Sequence, residues 1–162
     1  MTGILISVDP GDKHTGIAVW VLEQQTKLWT CAHVAELGLT ETEDFIAAEA
    51  EAGTLTRLVV ERFQLYSDKA QLQTGSEFET SQLIGSLKYI ARLHGIPVVL
   101  QGASIKKPTQ GILRAKKAKS LAKAWQAGGH AFDAELHGFY YLVKTAGVPV
   151  DYQPNHPPKE RT

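Results

Sequence analysis

The chain contains one cysteine, Cys31, and one methionine in 162 residues. A lone thiol cannot close a disulfide within the chain, so stability has to come from a packed core, and a reducing, cytoplasmic setting is expected. Long apolar runs are also missing. No stretch approaches the roughly 20 residues needed to cross a bilayer, which removes a membrane from the expected partners. Met1-Thr2-Gly3 leads straight into a strand pattern, so no secretory leader is expected. Excess charge of one sign is absent too: 17 basic residues balance 17 acidic ones.

What is present suits a single domain with a proper core: 162 residues, 43% hydrophobic and 21% charged. The balanced charge is unevenly distributed. Residues 36–51 carry Glu36, Glu41, Glu43, Asp44, Glu49 and Glu51 without a base, whereas 106–123 carry Lys106, Lys107, Arg114, Lys116, Lys117, Lys119 and Lys123 without an acid. The basic block is the expected phosphate-facing surface, because these charges lie close enough to act together within a Debye length of about 8 Å. A solvated helix face is the alternative.

Hydrophobic periodicity predicts strands at 4–9, 17–23, 28–36, 57–63 and 96–100, the first three joined as a meander. Helices are expected at 40–52, where Thr40 and Glu43 suggest a capping box, at 76–94, briefly from Pro108, at 115–125 and at 130–145. Residues 64–75 read as a surface loop, and the proline-bearing 151–162 as a disordered tail. The expected fold is α/β, a five-stranded mixed sheet flanked by helices, over residues 1–150. The 76–94 helix carries two apolar stripes, Leu83/Leu87/Ile90 and Phe78/Tyr89/Leu93. One can face the sheet; the other needs a twin subunit or further helices of the same chain.

Chemistry concentrates at the ends of three elements. Ile6-Ser7-Val8 delivers Asp9 before Pro10-Gly11 and Thr15-Gly16; Leu58-Val59-Val60 delivers Glu61; the last helix opens with His130-Ala131-Phe132-Asp133. All four are hard or borderline metal ligands that a scaffold could hold together for metal-assisted phosphodiester cleavage. On that helix His130, Asp133 and His137 fall at i, i+3 and i+7, away from an apolar face of Phe132, Leu136, Phe139, Tyr140 and Val143. Two Mg²⁺ or Mn²⁺ ions held there would activate water and stabilise the leaving oxygen. An imidazole at position 130 favours Mn²⁺, since Mg²⁺ prefers an all-oxygen shell. A single aspartate at a strand end is usually structural; the combination is far more specific.

At these residues the chain resembles the RuvC family of Holliday junction resolvases, most closely its bacteriophage members, within the ribonuclease H-like fold. The resemblance runs over about 4–145, through Ile6-Ser7-Val8-Asp9-Pro10-Gly11, Thr15-Gly16, Val59-Val60-Glu61, the basic segment around 116–119 and His130-Ala131-Phe132-Asp133-Ala134. It implies that Asp9, Glu61, His130 and Asp133 are the metal-binding catalytic set. It also implies a homodimer in a bacterial cell, phage-encoded, that nicks two strands of a four-way junction. The family's aromatic wedge corresponds to Phe63 or Tyr66 at slightly different spacing, and its glycine-rich stretch is reduced to Thr109-Gln110-Gly111.

Other residues read more quietly. Asp12 fits a turn former, His137 a group behind the site or an exposed helix histidine, and His14, His33, His94 and His156 structural or surface positions. Trp20, Trp29 and Trp125 fit the core, and Cys31 a buried strand thiol. Alternative functions are a ribonuclease H-like nuclease acting on RNA or packaged DNA, and a catalytically silent DNA-binding module. A third is an actin-like ATP-binding module, suggested by the D-P-G…T-G turn alone; those proteins need two such domains.

Overall fold

The computed structural model describes residues 3–63 and 76–151, the first three of the second stretch by their backbone alone. β1 (Ile4–Asp9), β2 (Thr15–Leu22) and β3 (Trp29–Leu37) form an antiparallel meander. β4 (Leu55–Glu61) pairs parallel with the free side of β1, and β5 (Val98–Gln101) pairs parallel with β4. The strand order is therefore β3-β2-β1-β4-β5, the mixed five-stranded sheet that the sequence predicts.

Strand alternation divides the core into two halves. Ile6, Val8, Leu58 and Val60 face α1 (Leu39–Glu51) and α2 (Ser76–Leu93), meeting Ile46, Leu83 and Leu87. Leu5 and Val59 face the opposite layer, with Trp20, Leu121, Ala134 and Phe139. That layer holds α3 (Lys106–Ala115), α4 (Leu121–Ala124) and α5 (Gly129–Tyr140). Leu83 and Leu87 are thus core residues, each contributing about 1.5–3 kcal/mol by burial, and their stripe has no role left on the outer surface. Of the second stripe, Tyr89 and Leu93 are 53% and 62% exposed, and the Phe78 side chain lies outside the described residues.

α5 lies unusually close to the sheet. Trp20 Nε1 donates to Ser7 Oγ at 3.2 Å, and Ser7 Oγ donates to the Ala134 carbonyl at 2.7 Å. Gly138 permits this approach, since a methyl group there would overlap Trp20 Nε1 and reach within 2.5 Å of Ser7 Oγ. A wide turn, Tyr141–Thr145, carries the helical segment on to the expected end.

Two local expectations are corrected. α1 is capped at Gly38, whose N–H donates to the Glu41 carboxylate at 2.9 Å, rather than through Thr40 and Glu43. The lysine-rich helix predicted over 115–125 does not exist as one helix. The chain leaves α3 after Ala115, Lys117 takes a left-handed φ of 51°, and α4 begins afresh when Ser120 Oγ accepts the Lys123 N–H. Lys116, Lys117 and Lys119 therefore sit in the connection between two helices, where a left-handed residue and a competing cap interrupt the pattern. The predicted loop 64–75 and nearly all of the tail lie outside the described residues. Among the described residues no helix is long and apolar enough to cross a membrane.

Candidate metal centre

β1, β4 and β5 run parallel, so their last residues, Asp9, Glu61 and Gln101, emerge along one edge of the sheet. Parity then selects the face. Asp9 continues the Leu5-Ser7 side and Glu61 the Val59 side, so both carboxylates turn toward α5 rather than α1 and α2. A crevice at the carboxyl ends of parallel strands is where α/β sheets commonly bind ligands.

The first turn of α5 lies over this edge and brings His130 and Asp133 with it. The D-P-G…T-G segment makes the approach possible: a methyl group on Gly16 would overlap the His130 carbonyl, and one on Gly11 would lie 2.7 Å from the His130 ring. From β3, Glu36 accepts the His130 backbone N–H at 2.8 Å, satisfying one of the unpaired donors of the helix start. Gly128, with φ of 97°, turns the chain beside that carboxylate.

Four side chains predicted as ligands are thus brought together. His130 Nδ1 lies 2.6 Å from Asp9 Oδ2. Lys106, from the start of α3, reaches into the middle: its Nζ is 2.7 Å from Glu61 Oε2, 2.7 Å from Asp133 Oδ2 and 3.3 Å from Asp9 Oδ1. Three carboxylates converge on one ammonium, and oxygens of this kind suit a hard divalent cation. Lys106 marks the place. The sequence groups Lys106 with the phosphate-facing block; the structure puts it among the acids instead.

Electrostatics follow from the crowding. Burial, reinforced by the adjacent Glu61 carboxylate, pushes Asp9 up to about 9. Burial also acts to raise Glu61, but hydrogen bonds from His137, Asp9 and Lys106 outweigh it and hold Glu61 well below the ordinary carboxylate range. The two groups titrate as a pair that shares one proton, each carboxylate opposing the charge of the other. Lys106 is buried enough to lower its pKa, yet the surrounding Asp133 and Glu61 carboxylates raise it above its usual value. A bound divalent cation would replace both the proton and the ammonium as counter-charge.

His137 corrects the outward placement of the polar α5 face. It is completely buried, with Nε2 at 2.9 Å from Glu61 Oε2 and Nδ1 at 2.8 Å from Gln101 Oε1. Asp9, Glu61 and His137 offer ligand-type atoms within 4.8 Å of one another. The i, i+7 spacing from His130 carried a signal for His137; nothing in the sequence singled out Gln101.

The remaining predicted binding residues lie around this centre. Lys107, Arg114, Lys116, Lys117, Lys119 and Lys123 are exposed on α3, α4 and their connection, and Lys123 Nζ sits 4.5 Å over the Phe132 ring. Phe63 is half-buried two residues beyond Glu61, and Tyr66 lies outside the described residues. Asp12 accepts from Thr80 Oγ1 at 3.3 Å. His14, His33 and His94 are exposed, Trp20 is buried, Trp29 and Trp125 are half-buried, Cys31 is a buried free thiol, and His156 lies outside the described residues.

The strand order, with helices on both faces, is that of the ribonuclease H-like α/β fold. Solved Holliday junction resolvases share this fold. RuvC of Thermus thermophilus, solved in complex with a Holliday junction substrate, is 18% identical with a TM-score of 0.56, covering 88% of this chain and 97% of that one. The fowlpox virus Holliday junction resolvase is 12% identical with a TM-score of 0.59, covering 88% and 99%. The yeast mitochondrial Holliday junction resolvase is 12% identical with a TM-score of 0.51, covering 83% and 75%. No family model and no curated protein matches the sequence. At these identities the likeness establishes the fold.

Proposed function

We propose that the protein is a metal-dependent endonuclease that resolves four-way DNA junctions. The observation that carries this reading is the convergence of Asp9, Glu61 and Asp133 within 3.3 Å of one cationic nitrogen, at the strand-end edge of a resolvase fold. Asp9, Glu61, Asp133 and His130 would hold two Mg²⁺ or Mn²⁺ ions, whose chemistry is to lower the pKa of a water and neutralise charge at the departing oxygen. The chain's own residues do the rest. His130 is oriented by Asp9 and Glu36, Lys106 supplies a positive charge beside the reacting phosphate, and the α3–α4 bases carry the DNA backbone toward the edge.

The RuvC and fowlpox virus structures solved with Holliday junction DNA support a four-way junction as the substrate. Such a substrate has two-fold symmetry that a homodimer matches, and exposed Tyr89 and Leu93 on α2 are the surface we assign to the twin subunit. The nuclease domain is residues 1–150 and the tail 151–162. Phe63 and Tyr66, just past Glu61, are the aromatics assigned to the junction's branch point. A reducing bacterial cytoplasm, in a phage-infected cell, fits the free thiol and the sequence resemblance.

The test is cleavage of a synthetic four-way junction beside flap, fork and duplex DNA, with Mg²⁺ or Mn²⁺. Junction cleavage should exceed that of the controls, and Asp9→Asn or Glu61→Gln should abolish it while junction binding persists, because affinity comes chiefly from phosphate contacts. Cleavage retained by either purified variant would remove this site assignment; cleavage confined to flaps or RNA would move the protein to another ribonuclease H-like activity.

A further inference from the structure

His137 is a polar ring with no access to solvent, in the middle of the most buried stretch of α5. Leaving such a group unpaired costs about 1–3 kcal/mol, so its two partners matter. They are the terminal residues of adjacent parallel strands: Glu61 and Gln101 are directly paired in the β4–β5 register. Both polar ends of the ring therefore bridge two strand ends below the carboxylate cluster.

An ionised Glu61 carboxylate can only accept, so it calls for a hydrogen on the ring nitrogen that faces it. Gln101 sets its side-chain amide against Nδ1 through Oε1, and Gln101 Nε2 is buried without a partner among the described residues. With the amide oxygen toward Nδ1, a neutral ring would carry its one hydrogen there and leave Nε2 with none to donate. If the amide is turned, Nε2 of Gln101 donates to Nδ1 and the carbonyl takes the unpartnered place. In that second arrangement Nε2 of a neutral His137 carries the hydrogen that Glu61 Oε2 accepts at 2.9 Å, and both ring nitrogens are satisfied. The ring is thus a fixed donor behind the carboxylate that faces Lys106.

We infer that His137, anchored by Gln101, is a positioning residue that fixes the Glu61 carboxylate for metal binding. This rests on the reading of Asp9, Glu61 and Asp133 as metal ligands. Groups behind a ligand that orient it commonly govern metal affinity about 10- to 100-fold. His137 is completely buried, so its effect should reach DNA only through the metal.

The test measures Mn²⁺ binding to DNA-free protein by the loss of free-ion electron paramagnetic resonance signal, alongside thermal unfolding in chelator. His137→Leu fills the space without a donor and should bind Mn²⁺ about 10- to 100-fold more weakly. His137→Gln places an amide N–H near the former Nε2 and should recover most of the affinity. Gln101→Ala, which keeps the ring but frees it, should fall between them and covers the case in which His137→Leu fails to fold. Junction binding in chelator should be unchanged in all three. Wild-type affinity in His137→Leu, or equal losses in folded His137→Leu and His137→Gln, would overturn the inference alone. Absence of Mn²⁺ binding by the wild type would overturn the metal-site reading, and the inference with it.

Discussion

Glu36, on β3, accepts the backbone N–H of His130 at the start of α5 at 2.8 Å, although 94 positions separate them. The carboxylate serves as a cap borrowed from another element, since Gly128 at the helix start has no side chain to do so. Glu36→Ala should cost about 1 kcal/mol of stability. Because the first turn of α5 carries both His130 and Asp133, metal affinity should weaken as well. Thermal unfolding and metal titration on one preparation check both; unchanged metal binding would mean that the turn holds its place without the cap.

Gly16 faces the His130 carbonyl with no room for a methyl group. Gly16→Ala should push α5 off the sheet edge and destabilise the fold by about 1–3 kcal/mol, as overpacking in a close contact does. Gly85 on α2 has open space instead, so Gly85→Ala should stabilise modestly, by up to about 1 kcal/mol. Chemical denaturation of the two variants separates a packing requirement from a general intolerance of alanine.

Lys106 contacts three carboxylates that would otherwise repel one another. Lys106→Met should lower stability in chelator and raise metal affinity in the absence of DNA, since the ammonium competes with the ion for the same oxygens. Added metal should restore the lost stability by mass action. Weaker metal binding in the variant would show that Lys106 assembles the cluster rather than occupying it.

Glu135 of α5 is buried beneath α4, accepting from Ser120 Oγ at 2.6 Å and from the N–H groups of Leu121 and Ala122 at 2.8 and 3.1 Å. Burial raises its pKa above 4.5 despite these bonds. A raised folded-state value means that its favourable contribution is complete below the unfolded value and is lost as pH rises through the folded one. Glu135→Gln should therefore flatten the pH dependence of stability just above the ordinary carboxylate range. It should also lower stability by about 1–3 kcal/mol where an amide N–H opposes a backbone donor. Unfolding free energies across pH 4 to 8 decide it, and parallel curves for the two proteins would count against the assignment.

Tyr89 and Leu93 stand exposed on α2, and the Arg92 guanidinium lies 5.3 Å from the centre of the Tyr89 ring. Tyr89→Ser with Leu93→Ser should convert a dimer to a monomer without loss of stability within the protomer. Sedimentation of both proteins at micromolar concentration tests it, and a monomeric wild type would remove this surface from the interface.

Much of this arrangement is determined by the sequence alone. Strand alternation puts Ser7 and Asp9 on one side and Ile6 and Val8 on the other whatever the partners are, because successive side chains point to opposite faces. Helical spacing likewise aligns His130, Asp133 and His137. The connection at 116–120 was illegible for the reverse reason: alanine and lysine favour helix locally, and a left-handed Lys117 with a new cap at Ser120 overrides that weak preference. Which carboxylates meet depended on β4 pairing with β1 and on α5 crossing above them, contacts between residues more than fifty positions apart. The same crossing buried His137 against Glu61 and Gln101 and drew Lys106 out of the basic surface into the acidic cluster. Periodicity records which face of an element a residue occupies; only packing decides whether that face meets solvent, a core or a charge.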